Sequence, residues 1–117
     1  MKYACLVYLV EKDMNAMTKR ESDTCVSESL AYDDALRKTG HFVAAQALQP
    51  VETATTIRVR NGKISATDDP FTETKEQLGG LLLIEARDLN EALQLATKIP
   101  MARYGTIEVR PVRDLRP

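Results

Sequence analysis

Apolar and polar positions change their period several times along this chain, and each change marks an element. Tyr3 to Val10 is a run of aromatic and β-branched residues and predicts a buried first strand. Glu11 to Glu21 is polar with no strong apolar period, so it predicts a loop leading into a helix. From Ser22 to Thr39 the pattern turns helical. Cys25, Ser29, Tyr32 and Leu36 recur at spacings of four, three and four and share one face, with Val26 beside them. Gly40 falls where a helix end needs a left-handed residue. Phe42 to Leu48 is apolar enough for a short second strand.

Pro50 interrupts that run. Thr53 to Arg60 then alternates, with Ala54, Thr56, Arg58 and Arg60 opposing Thr55, Ile57 and Val59, a strand with one wetter face. Asn61-Gly62 is the strongest hairpin signal in the chain, because both residues tolerate the positive φ of a type I′ turn. Lys63 to Thr67 returns, and Asp68-Asp69-Pro70-Phe71 ends the strand because Pro70 removes a ladder donor. Leu81-Leu82-Leu83-Ile84, within Gly79 to Ala86, is a continuous apolar run suited to a central strand. Asp88 with Glu91 resembles a capping box, and Leu89, Ala92, Leu93 and Ala96 follow at helical spacing until Ile99-Pro100. Thr106 to Val112 alternates again as a final strand.

The order is strand, helix, strand, hairpin, strand, helix, strand. It predicts an α+β, ferredoxin-like unit: one antiparallel sheet, two helices on one face and an extra hairpin. Two helices cover one sheet face only. Leu81, Leu83 and their neighbours make the other face apolar as well, so a homodimer joined through that face is expected.

Composition narrows the class. The 117 residues are 44% hydrophobic and 28% charged, one domain's worth of ordinary globular chain. Sixteen Lys plus Arg against seventeen Asp plus Glu leave a net charge of −1, which argues against a nucleic-acid partner. No apolar run approaches the roughly 20 residues of a membrane span. The N-terminal stretch lacks a clear cleavage signal, and a cytoplasmic location is expected. Cys5 and Cys25 read as small buried apolar side chains in a reducing compartment. The spacing of Cys and His offers no metal site, and His41, the one histidine, follows Gly40 at a helix end, poorly placed to serve either thiol as a base.

Thr67-Asp68-Asp69-Pro70-Phe71-Thr72-Glu73-Thr74-Lys75-Glu76-Gln77-Leu78-Gly79-Gly80 resembles the signature of the YCII-related proteins of the DGPF type, roughly T-D-G-P-F-x-E-T-K-E-x-x-G-G. Leu48-Gln49-Pro50 with Ala54-Thr55-Thr56, Asp88-Leu89-Asn90-Glu91-Ala92, and Ile99-Pro100 with Gly105 and Glu108-Val109-Arg110-Pro111 extend the resemblance over nearly the whole chain. The resemblance implies a dimeric α/β barrel of ferredoxin-like subunits. It also implies an Asp, sometimes with a His, in a cleft between sheet and helix, and distant relatives that are isomerases, lyases and monooxygenases. Relatives often sit beside sigma factors, which implies a regulatory, protein-interaction role without catalysis as the alternative. Two positions depart from the pattern. Asp69 stands where the family has Gly, and Ser29 stands where relatives often carry the helix His.

Asp68 is therefore the candidate general acid or base, with a pKa raised by desolvation. Its structural alternative is a turn residue accepting hydrogen bonds ahead of Pro70. Asp68 and Asp69, being adjacent in an extended chain, should face opposite ways, one toward the helices. Ser29 and Tyr32 are candidate ligand contacts on the helix face; a Ser there also bonds readily to the carbonyl one turn back. Phe71 either walls a pocket or fills the core. Thr72 to Glu76 suits a solvated loop, a lid or a dimer contact. Arg58, Arg60, Arg103, Arg110, Arg113 and Arg116 either gather around an anion or stand as dispersed surface charge. No metal or organic cofactor is expected. An enzyme of this design, an isomerase or lyase moving a proton, needs a hollow that holds the Asp68 carboxylate. A binding protein for a small organic molecule needs a hollow without it, and an interaction module needs a leftover apolar patch.

Overall fold

The computed structural model of the chain describes residues 1–70 and 74–116. Strand β1 (Lys2–Leu9) alternates: Tyr3, Cys5 and Val7 are buried, while Ala4, Leu6 and Tyr8 are half-exposed on the other face. β1 is central. It pairs antiparallel with β5 (Gln77–Glu85) on one side and β6 (Thr106–Pro111) on the other, and β2 (Phe42–Ala47) pairs antiparallel with the outer side of β5. The resulting order, β2-β5-β1-β6, is that of two interleaved strand–helix–strand units, the expected ferredoxin-like α+β arrangement.

Two helices make the crossovers. α2 (Lys19–Lys38) links β1 to β2, and α3 (Leu89–Ala96) links β5 to β6. Both pack on the Tyr3–Cys5 side of the sheet, where Leu36, Ala92, Ala96 and Ile99 join Tyr3, Cys5, Leu82, Ile84 and Ala86 in one cluster. Ile84 and Cys5 are fully enclosed, and burying a side chain the size of Ile84 contributes roughly 1.5–3 kcal/mol. α3 turns its alanines inward, with Ala92 at 0% exposure, and leaves Leu89 and Leu93 nearly half-exposed. The small inward residues let the helix lie close to the sheet.

The end of α2 follows the glycine signal closely. Gly40 takes φ +78°, its N–H donates to the Arg37 carbonyl, and the His41 N–H donates to the Leu36 carbonyl. This is the Schellman arrangement that satisfies the last carbonyls of a helix. The start of α2 differs from expectation. Residues 11–21 are not a loop: α1 (Glu11–Asn15) is a short helix and α2 begins at Lys19. The cause is a capping box. Thr18 Oγ1 accepts from the Glu21 N–H, and Glu21 Oε1 accepts from the Thr18 N–H, both at 3.1 Å. The T-x-x-E spacing was present in a segment whose missing apolar period had suggested a loop.

β3 (Thr56–Arg60) and β4 (Lys63–Thr67) form a separate two-stranded ribbon between β2 and β5. Asn61 and Gly62 adopt φ +51° and +75°, the type I′ turn expected of that pair. The strand predicted from Thr53 starts later, because Val51–Thr53 is a single 3-10 turn. Glu11 of α1 holds this turn, its Oε1 accepting from the Val51 N–H at 2.7 Å.

Candidate functional site

The sheet's uncovered face is apolar at its centre. The register sets Leu6 against Leu81 and Ala4 against Leu83, with Ala44 of β2 beside Leu83. Along the β6 side the same face carries Glu108 opposite Leu6 and Arg110 opposite Ala4, both exposed. The Cα extents are 48 × 46 × 19 Å. A thickness of 19 Å is that of one helix layer on one sheet, and among the described residues no second layer covers this face.

At the end of the sheet where β1 leaves and β5 enters, a groove of about 560 Å³ is lined by Tyr8, Val10, Asp13, Thr74, Lys75 and Glu76. Its walls follow from local structure. A bulge between Val7 and Tyr8 shifts the register against β5, so that Tyr8 lies opposite Leu78. α1 supplies Asp13. The second half of the Thr67–Gly80 tract supplies the facing wall. There Glu76 Oε1 accepts from Thr106 Oγ1 at 2.9 Å, Gln77 Nε2 donates to the Thr74 carbonyl at 2.6 Å, and Thr74 Oγ1 donates to the Glu76 carbonyl. The glycines around it are close-approach positions. A Cβ on Gly105 would lie 2.1 Å from the Tyr8 carbonyl oxygen, and one on Gly80 would lie 2.9 Å from that of Gln46. The groove combines an aromatic ring and an aliphatic side chain with two carboxylates, an ammonium and a hydroxyl. A second hollow of similar volume runs along Lys19, Arg20, Asp23, Thr24, Ser27 and Glu28, the flank of one helix whose Lys19 and Asp23 already pair at 2.7 Å.

The residues singled out from the sequence do not converge. Asp68 is exposed at the base of the hairpin, where its Oδ1 accepts from Thr55 Oγ1 at 3.4 Å, and it lines neither hollow. Asp69 is also exposed, so neither carboxylate is turned into the helix layer. Its backbone carbonyl accepts from Thr56 Oγ1 at 2.6 Å. Among the described residues Asn61 is the only non-glycine with positive φ, so the turn at Asp69 has no need of the family's glycine. Ser29 is half-buried on the sheet-facing side of α2, as its spacing implied. Tyr32 lies there too, but its hydroxyl donates to the Leu95 carbonyl at 2.6 Å and ties α2 to α3; burial pushes its phenol pKa up. Phe71, Thr72 and Glu73 lie outside the described residues.

The other reactive groups are engaged structurally. Burial pushes the Cys5 thiol up to about 11, so it stays protonated near neutral pH. His41 sits 2.8 Å from the Glu85 carbonyl through Nδ1 and 3.9 Å from Glu91 Oε1. Arg103 pairs with Glu28 at 2.7 Å and lies against the Tyr104 ring. Among the described residues no three of His, Cys, Asp and Glu converge as metal ligands, and no helix is long and apolar enough to cross a membrane.

Sequence reasoning does not find the groove's lining residues: Tyr8 enters the groove through the bulge against β5, and Asp13 lies in α1, a short helix without an apolar period. Glu11 and Asp13, two acids in one turn, were the available signal for a helix start. Asp33 was missed as well. It is a half-buried carboxylate on α2 whose pKa is raised chiefly by burial, with Arg37 lowering it and Asp34 raising it.

The comparisons agree with the tract and the topology. Residues 1–116 match the model of the YCII-related domain. A protein of Rhizobium meliloti (strain 1021), described as uncharacterized, is 34% identical over 119 residues, covering 100% of this chain and 96% of the relative. With its signature tract, its strand order and a match over almost its full length, the chain belongs to the YCII-related family.

Proposed function

We propose that the protein is a homodimer whose four-stranded sheets meet face to face, and that the groove at the sheet end takes a small organic molecule. The observation that carries this reading is the groove itself. Tyr8 and Val10 line it together with Asp13, Thr74, Lys75 and Glu76, in a volume within the usual ligand range of roughly 300–1,000 Å³. The dimer reading is supported by the Leu6–Leu81 and Ala4–Leu83 pairs on an uncovered face. Glu108 and Arg110, an acid and a base two residues apart on that face, suit it as well, because a two-fold axis passing between them would set each against the other's counterpart. A cytoplasmic location suits two free, buried thiols.

An acid–base version gives proton transfer to Asp68, with Ser29 or Tyr32 orienting the ligand. Its support is the family tract and an accessible carboxylate. The Tyr32–Leu95 bond and the position of Asp68 outside the groove favour binding without proton transfer.

A thermal-shift screen of small organic acids, amines and amino acids tests this. Compounds that stabilise the wild type should keep their effect on Asp68→Asn and lose it on Asp13→Asn/Lys75→Met. Retention of every hit by the double variant would remove the groove from consideration. Loss of the hits in Asp68→Asn alone would favour the acid–base version.

A further inference from the structure

The hairpin β3–β4 has an amphipathic face that the described residues leave largely uncovered. The register sets Ile57 opposite Ala66 and Val59 opposite Ile64, so these four side chains share one face of the ribbon. Ile57, Val59 and Ile64 are 66%, 56% and 75% exposed, more than any large apolar side chain in the four-stranded sheet. Among the described residues the two strands pair only with each other. A lone two-stranded ribbon is marginal in water at best, and an apolar stripe on one has no reason to persist unless something covers it.

We propose that β3–β4 is an exchanged arm whose apolar face lies against the body of a second copy of this chain. This rests on the dimer reading above and adds to it a contact outside the sheet face. Two observations choose a second copy as the occupant.

The first is area. The accessible surface is 8699 Å², whereas a self-contained protein of 13.1 kDa exposes about 6,400 Å². The excess, about 2,300 Å², is well above the ~800 Å² that each partner buries in a standard interface. The second is shape. The radius of gyration is 16.2 Å against about 13 Å for a compact chain of this length, as a projecting element requires.

The test is a sedimentation-velocity dilution series on the full chain with Ile57→Lys/Ile64→Lys, beside Leu83→Glu at the sheet face. The arm positions are exposed, so the substitutions spare the fold of the subunit. The arm variant should weaken dimerisation by ~10-fold or more, because two ammonium groups are forced into an apolar contact. A photo-crosslinker attached through Ile64→Cys should yield covalent dimers, and one attached through Ser65→Cys on the opposite face should not. If the arm variant dimerises as tightly as wild type while Leu83→Glu is monomeric, the exchanged arm is wrong and the face-to-face dimer stands. If the wild type is monomeric at every concentration, both fall. Equal crosslinking from Ile64→Cys and Ser65→Cys would also overturn the arm.

Discussion

The four-stranded sheet and the β3–β4 ribbon are written in the same alternating code, and only one of them buries its apolar phase. On β1 and β5 the residues Tyr3, Cys5, Leu82 and Ile84 are at 6% exposure or less. On the ribbon, Ile57, Val59 and Ile64 stand above half exposure. Alternation specifies which side chains share a face, and the difference between the two regions lies in what stands opposite that face. The sheet has Leu36 and Ala92 from two crossover helices above it. The ribbon emerges between β2 and β5, and among the described residues no helix lies over its apolar face.

This contrast sets the expected effects of substitution. The largest belongs to the body. Ile84→Ala should lower unfolding stability by about 2–5 kcal/mol in urea denaturation, through lost burial and a cavity beneath two helices. Ile64→Ala, measured on the dissociated subunit, should change it by less than about 0.5 kcal/mol. A comparable loss at both sites would mean the ribbon folds as part of the body.

Next comes pH. The Cys5 thiol stays neutral in the folded chain up to about 11 against its ordinary value of 9.0. Between these values the unfolded state has already lost its proton and the folded state has kept it. Stability therefore falls as pH rises through this window, by roughly 2–3 kcal/mol. Denaturation midpoints from pH 8 to 11 should show a steeper decline for wild type than for Cys5→Ala.

Two glycines with similar backbone angles give a smaller, paired effect. Gly40→Ala strains the cap of α2 and should cost about 1 kcal/mol of global stability. Gly62→Ala strains the ribbon turn by a similar amount, but the cost should appear in faster amide exchange along β3–β4, with an almost unmoved global midpoint. Smallest of all is the surface pair. Arg103→Gln should barely move the denaturation midpoint, and that small effect should vanish at high salt, since Arg103 and Glu28 are both substantially exposed.

Local chemistry made much of the fold predictable. Gly40 and Asn61-Gly62 take the positive φ that their residue types tolerate, and Asp88 caps a helix as its carboxylate favours. The Asp88 carboxylate accepts from the Glu91 N–H at 2.9 Å, and the Glu91 carboxylate returns to the Arg87 N–H instead of the expected Asp88 N–H. These devices act within a few residues, so no distant contact has to be known. The groove was hidden for the opposite reason. Tyr8 reaches it through a bulge against β5, Asp13 through a short helix with no apolar period, and Thr74 to Glu76 through a tract distant in sequence from both. Asp68 stood out in sequence because of its motif, yet a motif specifies neither exposure nor neighbours, and here its partner is Thr55.

Residue order alone settled the succession of strands and helices, the turns and caps that bound them, and the pairing of apolar residues on common faces, because each of these is decided by backbone preference and period over a few positions. Tertiary structure decided which apolar faces are covered, which carboxylates share a hollow, and that α3 shows Leu89 and Leu93 outward and its alanines inward. Those outcomes depend on the distance between elements far apart in the chain, and burial is a property of that spacing.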